Sequence, residues 1–221
     1  MRAGRVARQE AWGQGRYREV DLSPYLNHSC ASFDQDTFAS LGFCSFPAEE
    51  LAALPRPFIA DGVPLRLPPF LPGRPDNLMC EGQKVGVPPG RYCALALLGV
   101  AEMGSYVEEM RLRFEGGAEQ ARELALTRWT DRRPRFGEAQ AYTVTHVHGP
   151  GTQVVGQQAS LWLKLLVVDP ARRLRAVVFP NNIFLHFLAL TLIVPPRAPG
   201  PCPSRCPGRA SPEVTPCPAR T

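Results

Sequence analysis

Met110-Arg111-Leu112-Arg113-Phe114-Glu115-Gly116-Gly117 is the stretch on which the fold turns. Apolar residues at 110, 112 and 114 alternate with charged residues at 111, 113 and 115. A period of two sends successive side chains to opposite faces, so the segment reads as a strand with one buried face. Gly116-Gly117 then offers a two-residue hairpin turn, in which both central residues take positive φ. The chain returns over residues 120–126, with Leu124 and Leu126 inward.

The same grammar extends in both directions. Residues 58–60, the turn Asp61-Gly62 and residues 63–67 read as a hairpin. Residues 85–87, Pro88-Pro89-Gly90 and residues 92–98 read as strand, turn, strand. Residues 159–168, Asp169-Pro170 and residues 174–179 form another such pair, and Asn181-Asn182 is the next turn. Residues 184–193 are apolar on both faces, as in a central strand covered on each side. About nine or ten short strands at regular spacing predict an all-β, antiparallel sandwich of jelly-roll type. Helix is confined to a turn or two at 48–54. The 24 prolines, about twice the usual share, agree with that, because proline breaks the helical ladder.

Composition bounds the domain and its partners. The chain divides into an Arg/Gly-rich segment 1–16 expected to be disordered, one sandwich domain over 17–194, and a Pro/Arg-rich tail 195–221 also expected to be disordered. The net charge of +5 comes from the two ends, through Arg2, Arg5, Arg8 and Arg16 and through Arg197, Arg205, Arg209 and Arg220. The domain itself is not basic, which argues against a nucleic-acid partner. Seven cysteines at wide spacing, with no C-x-x-C pair, read as free thiols and not as a disulfide framework. The apolar run 183–194 is too short for a membrane helix, and no signal-peptide pattern opens the chain. The default expectation is a soluble cytoplasmic protein, or a secreted one if this is a piece of a longer chain.

Several segments in order carry a family likeness. They are the stretch YREVDLSPY at 17–25, Asp34, the stretch FPAEEL at 46–51, Gly62-Val63-Pro64, Asp76-Asn77, Gly82-Gln83, the stretch VPPGRY at 87–92, Leu97-Leu98-Gly99 and the closing LALTL at 188–192. This order resembles the galactose-binding-like jelly-roll modules that accompany bacterial glycoside hydrolases. The resemblance implies a non-catalytic module with a saccharide as partner and an enzyme as neighbour.

Four groups of residues could carry chemistry. The loop 128–136 concentrates Trp129, Asp131, Arg132, Arg135 and Phe136 between two strands. Aromatic rings there would stack on a sugar, and charged groups would bond its hydroxyls. In the competing placement Trp129 caps the core and the arginines face solvent. His146 and His148, at i and i+2 on a strand, project from one face as metal ligands can. Cupin-like enzymes use such a pair, although Gln153 stands here where a carboxylate is wanted. Asp34 and Asp36, with Asn27, could supply oxygens to a structural calcium. Cys30 near His28 lacks a third orienting group in sequence. Glu49-Glu50 and Glu108-Glu109 read as sequence neighbours whose side chains diverge. The order of expectation is therefore a saccharide-binding module, then a structural or protein-interaction sandwich, then a metal-dependent jelly-roll enzyme.

Overall fold

The computed structural model describes residues 16–33, 41–149 and 152–196, with only the backbone of 152–156. Of the segments 1–16 and 195–221 expected to be disordered, 1–15 and 197–221 lie outside the described residues, as do Asp34 and Asp36, whereas Arg16 is strand-paired with Val194.

The chain is an antiparallel β-sandwich with a covering layer. In chain order the strands are β1 (Arg16–Val20), β2 (Ala31–Ser32), β3 (Phe46–Pro47), β4 (Phe58–Ala60), β5 (Val63–Leu65), β6 (Leu78–Glu81), β7 (Lys84–Gly90), β8 (Ala94–Ala101), β9 (Tyr106–Phe114), β10 (Glu119–Leu126), β11 (Ala139–Gly149), β12 (Thr152–Val167), β13 (Leu174–Val178) and β14 (Asn181–Val194). The helix α1 (Ala48–Ala52) follows β3 directly. One sheet runs β1-β14-β8-β12-β11, with β6 also paired to β14; the other runs β10-β9-β13-β7. No helix among the described residues is long and apolar enough to cross a membrane.

The alternating stretch behaves as its period requires. Met110, Leu112 and Phe114 of β9 are buried, and so are Leu124 and Leu126 of β10. Gly116 and Gly117 hold φ of 79° and 85°, but the reversal takes the three residues Glu115–Gly117 in a 3-10 turn, closed by the Phe114 N–H on the Ala118 carbonyl, and not the two residues expected. The hairpin β4–β5 turns on Asp61 and Gly62, also at positive φ. The other two expected strand pairs differ. β7 pairs with β13 while β8 pairs with β12 and β14, so the segment at Gly90 passes from one sheet to the other. The turn between β12 and β13 makes the same crossing. Short turns join these strands, but their partners are remote in sequence. Pro88 and Pro89 fit β7 because it is an edge strand, where a missing N–H costs no ladder bond.

Two cores explain the long apolar runs. Leu95, Leu97 and Ala101 of β8 face the four-stranded sheet, meeting Val85, Met110, Leu112 and Leu174. Ala94, Ala96, Leu98 and Val100 face the opposite way, onto Phe46, Leu51, Phe58, Leu65 and Trp129. The middle of the six-stranded sheet is thus buried on both sides, and β8 has no exposed position. β14 is treated alike, but a register shift between Phe187 and Ala189 changes which residues face which core. Phe187, Leu190 and Leu192 enter the first core, and Leu188 and Ile193 the second.

Candidate metal site

The end of β11 meets α1 across the covering layer. Ser45, just before β3, exchanges backbone hydrogen bonds with His148: Ser45 N–H donates at 2.9 Å and His148 N–H at 3.0 Å. Pro47 ends β3 and sits at the helix N-cap position. Ala48 and Leu51, three apart, turn one face of α1 into the core. Glu49 and Glu50 fall on the remaining arc and in the first turn, where a helix favours negative charge.

Those two carboxylates grip the histidine pair from different sides. His146 Nε2 and His148 Nε2 lie 3.2 Å apart, and each is 3.3 Å from Glu49 Oε1. His146 Nδ1 is 3.1 Å from Glu50 Oε1. His148 Nδ1 is 3.2 Å from Ser32 Oγ, which is 2.6 Å from Ser45 Oγ. The His148 side chain is 5% exposed, that of His146 12% and that of Glu49 45%, so the cluster opens on the Glu49 side.

Glu50 is fully committed to positioning. It accepts from the Thr145 N–H and hydroxyl and from the Tyr142 hydroxyl. Burial on its own would raise the Glu50 carboxyl; the bonds from Thr145 and Tyr142 and the nearby His146 outweigh that and hold it below its ordinary value. Burial, and then the Glu50 charge, push the Tyr142 phenol upward.

The geometry fits a small divalent cation. Zinc bound at about 2.0–2.1 Å in a tetrahedron sets its ligand atoms about 3.3 Å apart. Two imidazole nitrogens and one carboxylate oxygen stand at that spacing here. A ligating histidine ordinarily engages its other ring nitrogen with a carboxylate or similar group. Glu50 does this for His146, and Ser32 occupies the same place for His148. When His146 Nδ1–H donates to Glu50, the lone pair of Nε2 points into the cluster beside an anion, an arrangement a cation relieves. The sequence pointed to His146 and His148 but not to Glu49 or Glu50. The helical FPAEEL segment was the available signal; on a helix, adjacent acids can reach two sides of one neighbour.

The other expected residues are placed as follows. Trp129 is 3% exposed, edge-on to Phe46 with ring centroids 5.0 Å apart, so its indole belongs to the core and presents no face to a ligand. Burial won because the sandwich end is closed there by the covering layer. Asp131 pairs with Arg135 at 2.7 Å, and Arg132 is exposed. The buried Glu138 organises the loop by accepting the N–H groups of Thr127 and Phe136. Lys164 reaches the Phe136 carbonyl at 2.9 Å. Asn27 is held by β6, accepting the Met79 N–H at 2.8 Å. Cys30 is fully buried, and burial, then the charge of Asp76, push its thiol well up. A thiol in that state is a poor nucleophile. Asp76 binds the N–H groups of Cys30 and Ala31, a structural clamp.

Residues 16–194 match the AziU2-like beta-sandwich domain, and the chain belongs to that family. Among curated proteins it has no match.

Proposed function

We propose that this AziU2-like β-sandwich domain binds a zinc ion through Glu49, His146 and His148, with a fourth position open. The carrying observation is the triangle of two Nε2 atoms and one Oε1 at 3.2–3.3 Å, backed by Glu50 on His146 and Ser32 on His148. Zinc with three protein ligands polarises a bound oxygen or lowers the pKa of a bound water. The protein's own part is to hold both imidazoles in one tautomer and to keep the site half-closed. Glu50, saturated by four donors, positions His146 and is not free to move a proton.

Metal analysis of the purified full chain after zinc reconstitution tests this reading, together with the absorption of the cobalt-substituted form. About one metal per chain and a tetrahedral cobalt spectrum are expected. His148→Ala should abolish both. Glu50→Gln should weaken binding by about 10–100-fold while leaving the spectrum tetrahedral. Unchanged affinity in His148→Ala overturns the proposal.

Saccharide binding is the second reading. It draws on the exposed Arg132, whose side chain has no hydrogen-bond or ion-pair partner among the described residues, beside Asp131, Arg135 and the half-exposed Phe136. A saccharide-induced rise in melting temperature that disappears in Arg132→Ala supports it; no rise with any sugar in a panel removes it.

A further inference from the structure

We infer a second binding site, on the outer face of the four-stranded sheet, for a small molecule carrying one oxyanion group. A groove of about 470 Å³ lies there, lined by Lys84, Gly86, Arg113, Glu119, Arg175 and Ala176 among others. Its shape comes from an irregularity in β13. Register shifts between Leu174 and Ala176 occur in both of that strand's pairings, with β7 and with β9. Against β9 the step from Leu174 to Ala176 faces the single step from Phe114 to Arg113, so β13 carries one extra residue there; against β7 it faces Gly90 to Gly86, where the extra residues belong to β7. Leu174 and Val177 remain in the core, so Arg175 and Ala176 both fall to the outer side.

Ala176 is nonetheless only 3% exposed, because longer side chains stand around it. Gly86 and Gly117 continue this low floor. A methyl group at Gly117 would meet nothing within 4 Å, and one at Gly86 only the Tyr25 hydroxyl at 3.9 Å. The walls are mostly cationic. Arg113 shares its charge with Glu119 at 2.7 Å. The side chains of Lys84 and Arg175 have no partner among the described residues. Nearby arginines are compensated: Arg111 of β9 by Glu109, and Arg173, just before β13, by Glu115. Two free cations over a small-residue floor suit a carboxylate or phosphate group, which Arg binds with paired donors and Lys as a point charge. Glu119 at the rim can accept from hydroxyls on the remainder of the ligand.

Calorimetric titration of the full chain with glucuronate, glucose 6-phosphate, glucose and inorganic phosphate tests the site. A sugar acid or a sugar phosphate should bind where glucose does not, and high salt should weaken that binding. Glucuronate binding alone marks a carboxylate ligand, and glucose 6-phosphate or phosphate binding alone a phosphate ligand; each supports the site. Arg175→Gln and Lys84→Gln should each lower affinity by about tenfold, the worth of one charge-assisted hydrogen bond. Lys84→Gln carries the test if Arg175→Gln does not fold. His148→Ala should leave the affinity unchanged, which separates this groove from an anion captured by a metal. Binding by none of the anions, equal affinity in both charge variants, or loss in His148→Ala overturns the inference.

Discussion

His186 Nε2 lies 3.2 Å from Glu102 Oε2, and the imidazole has no exposed surface. Asn77 Oδ1 stands 3.0 Å from the other ring nitrogen. The second oxygen of Glu102 accepts the Gly42 N–H at 2.7 Å. This pair therefore ties β14 and the end of β8 to the covering segment that leads into β3. Burial on its own would raise the Glu102 carboxyl, but the His186 bond and charge and the Gly42 N–H hold it below its ordinary value.

Acid stability should report that pair. A carboxyl with a lowered folded pKa contributes stability that is complete above its unfolded pKa, about 4.3 for Glu, and that is lost as pH falls through the folded value. Asp76 acts in the opposite sense: burial raises it despite bonds from Cys30, Asn77 and Ala31. Comparison with Glu102→Gln isolates the first effect. The variant should lose about 1–3 kcal/mol near pH 7, since it weakens a charge-assisted hydrogen bond to a buried ring. Its melting temperature should then fall less than that of the native chain as pH drops below about 4.5. Parallel melting curves from pH 7 to pH 3 would contradict the assignment.

Gly99 of β8 stands close against β14. A Cβ there would lie 2.4 Å from the His186 carbonyl oxygen and 2.5 Å from Phe187 Cδ1. The oxygen is backbone and cannot swing away, so Gly99→Ala should lower stability by at least about 1–3 kcal/mol. Gly116→Ala, with open space but φ of 79°, should cost only about 1–2 kcal/mol. Urea denaturation of the two variants checks the ranking; equal midpoints would mean that the strands separate to admit the methyl.

Leu190 is fully buried in the first core, on a strand paired along both edges. Leu190→Ala should cost about 2–5 kcal/mol. A measured loss below about 1 kcal/mol would show that the core collapses around the cavity.

Trp129→Ala should destabilise the domain by about 3–5 kcal/mol, as removal of a buried aromatic does. The Trp129 N–H donates to the Ala101 carbonyl, and the Ser160 N–H donates to the Trp129 carbonyl, but both bonds are backbone and survive the substitution. The loss therefore measures packing against Phe46. A variant with native melting temperature that fails to bind saccharide would instead return Trp129 to a ligand-contact role.

The strands and turns of this protein are written locally. The alternation over 110–115 and the glycines at 116 and 117 determine a strand and its reversal without reference to anything distant, because pleat and positive φ are properties of neighbouring residues. The apolar run 184–193 likewise announces a strand covered on both faces. Pairing and covering are not written locally. Whether β7 returns beside β8 or crosses to the facing sheet depends on β13 and β14, which come much later in the chain. Trp129 could have capped a core or lined a groove on its own chemistry, and Phe46 and the covering layer decided it. The histidine pair was visible as i, i+2 on one face, but two imidazoles do not make a cation site. Glu49 completes the triangle only because α1 packs against the end of β11, where Ser45 and His148 bond. Charges converge in this way through long-range packing, which a period of two or a turn residue does not encode.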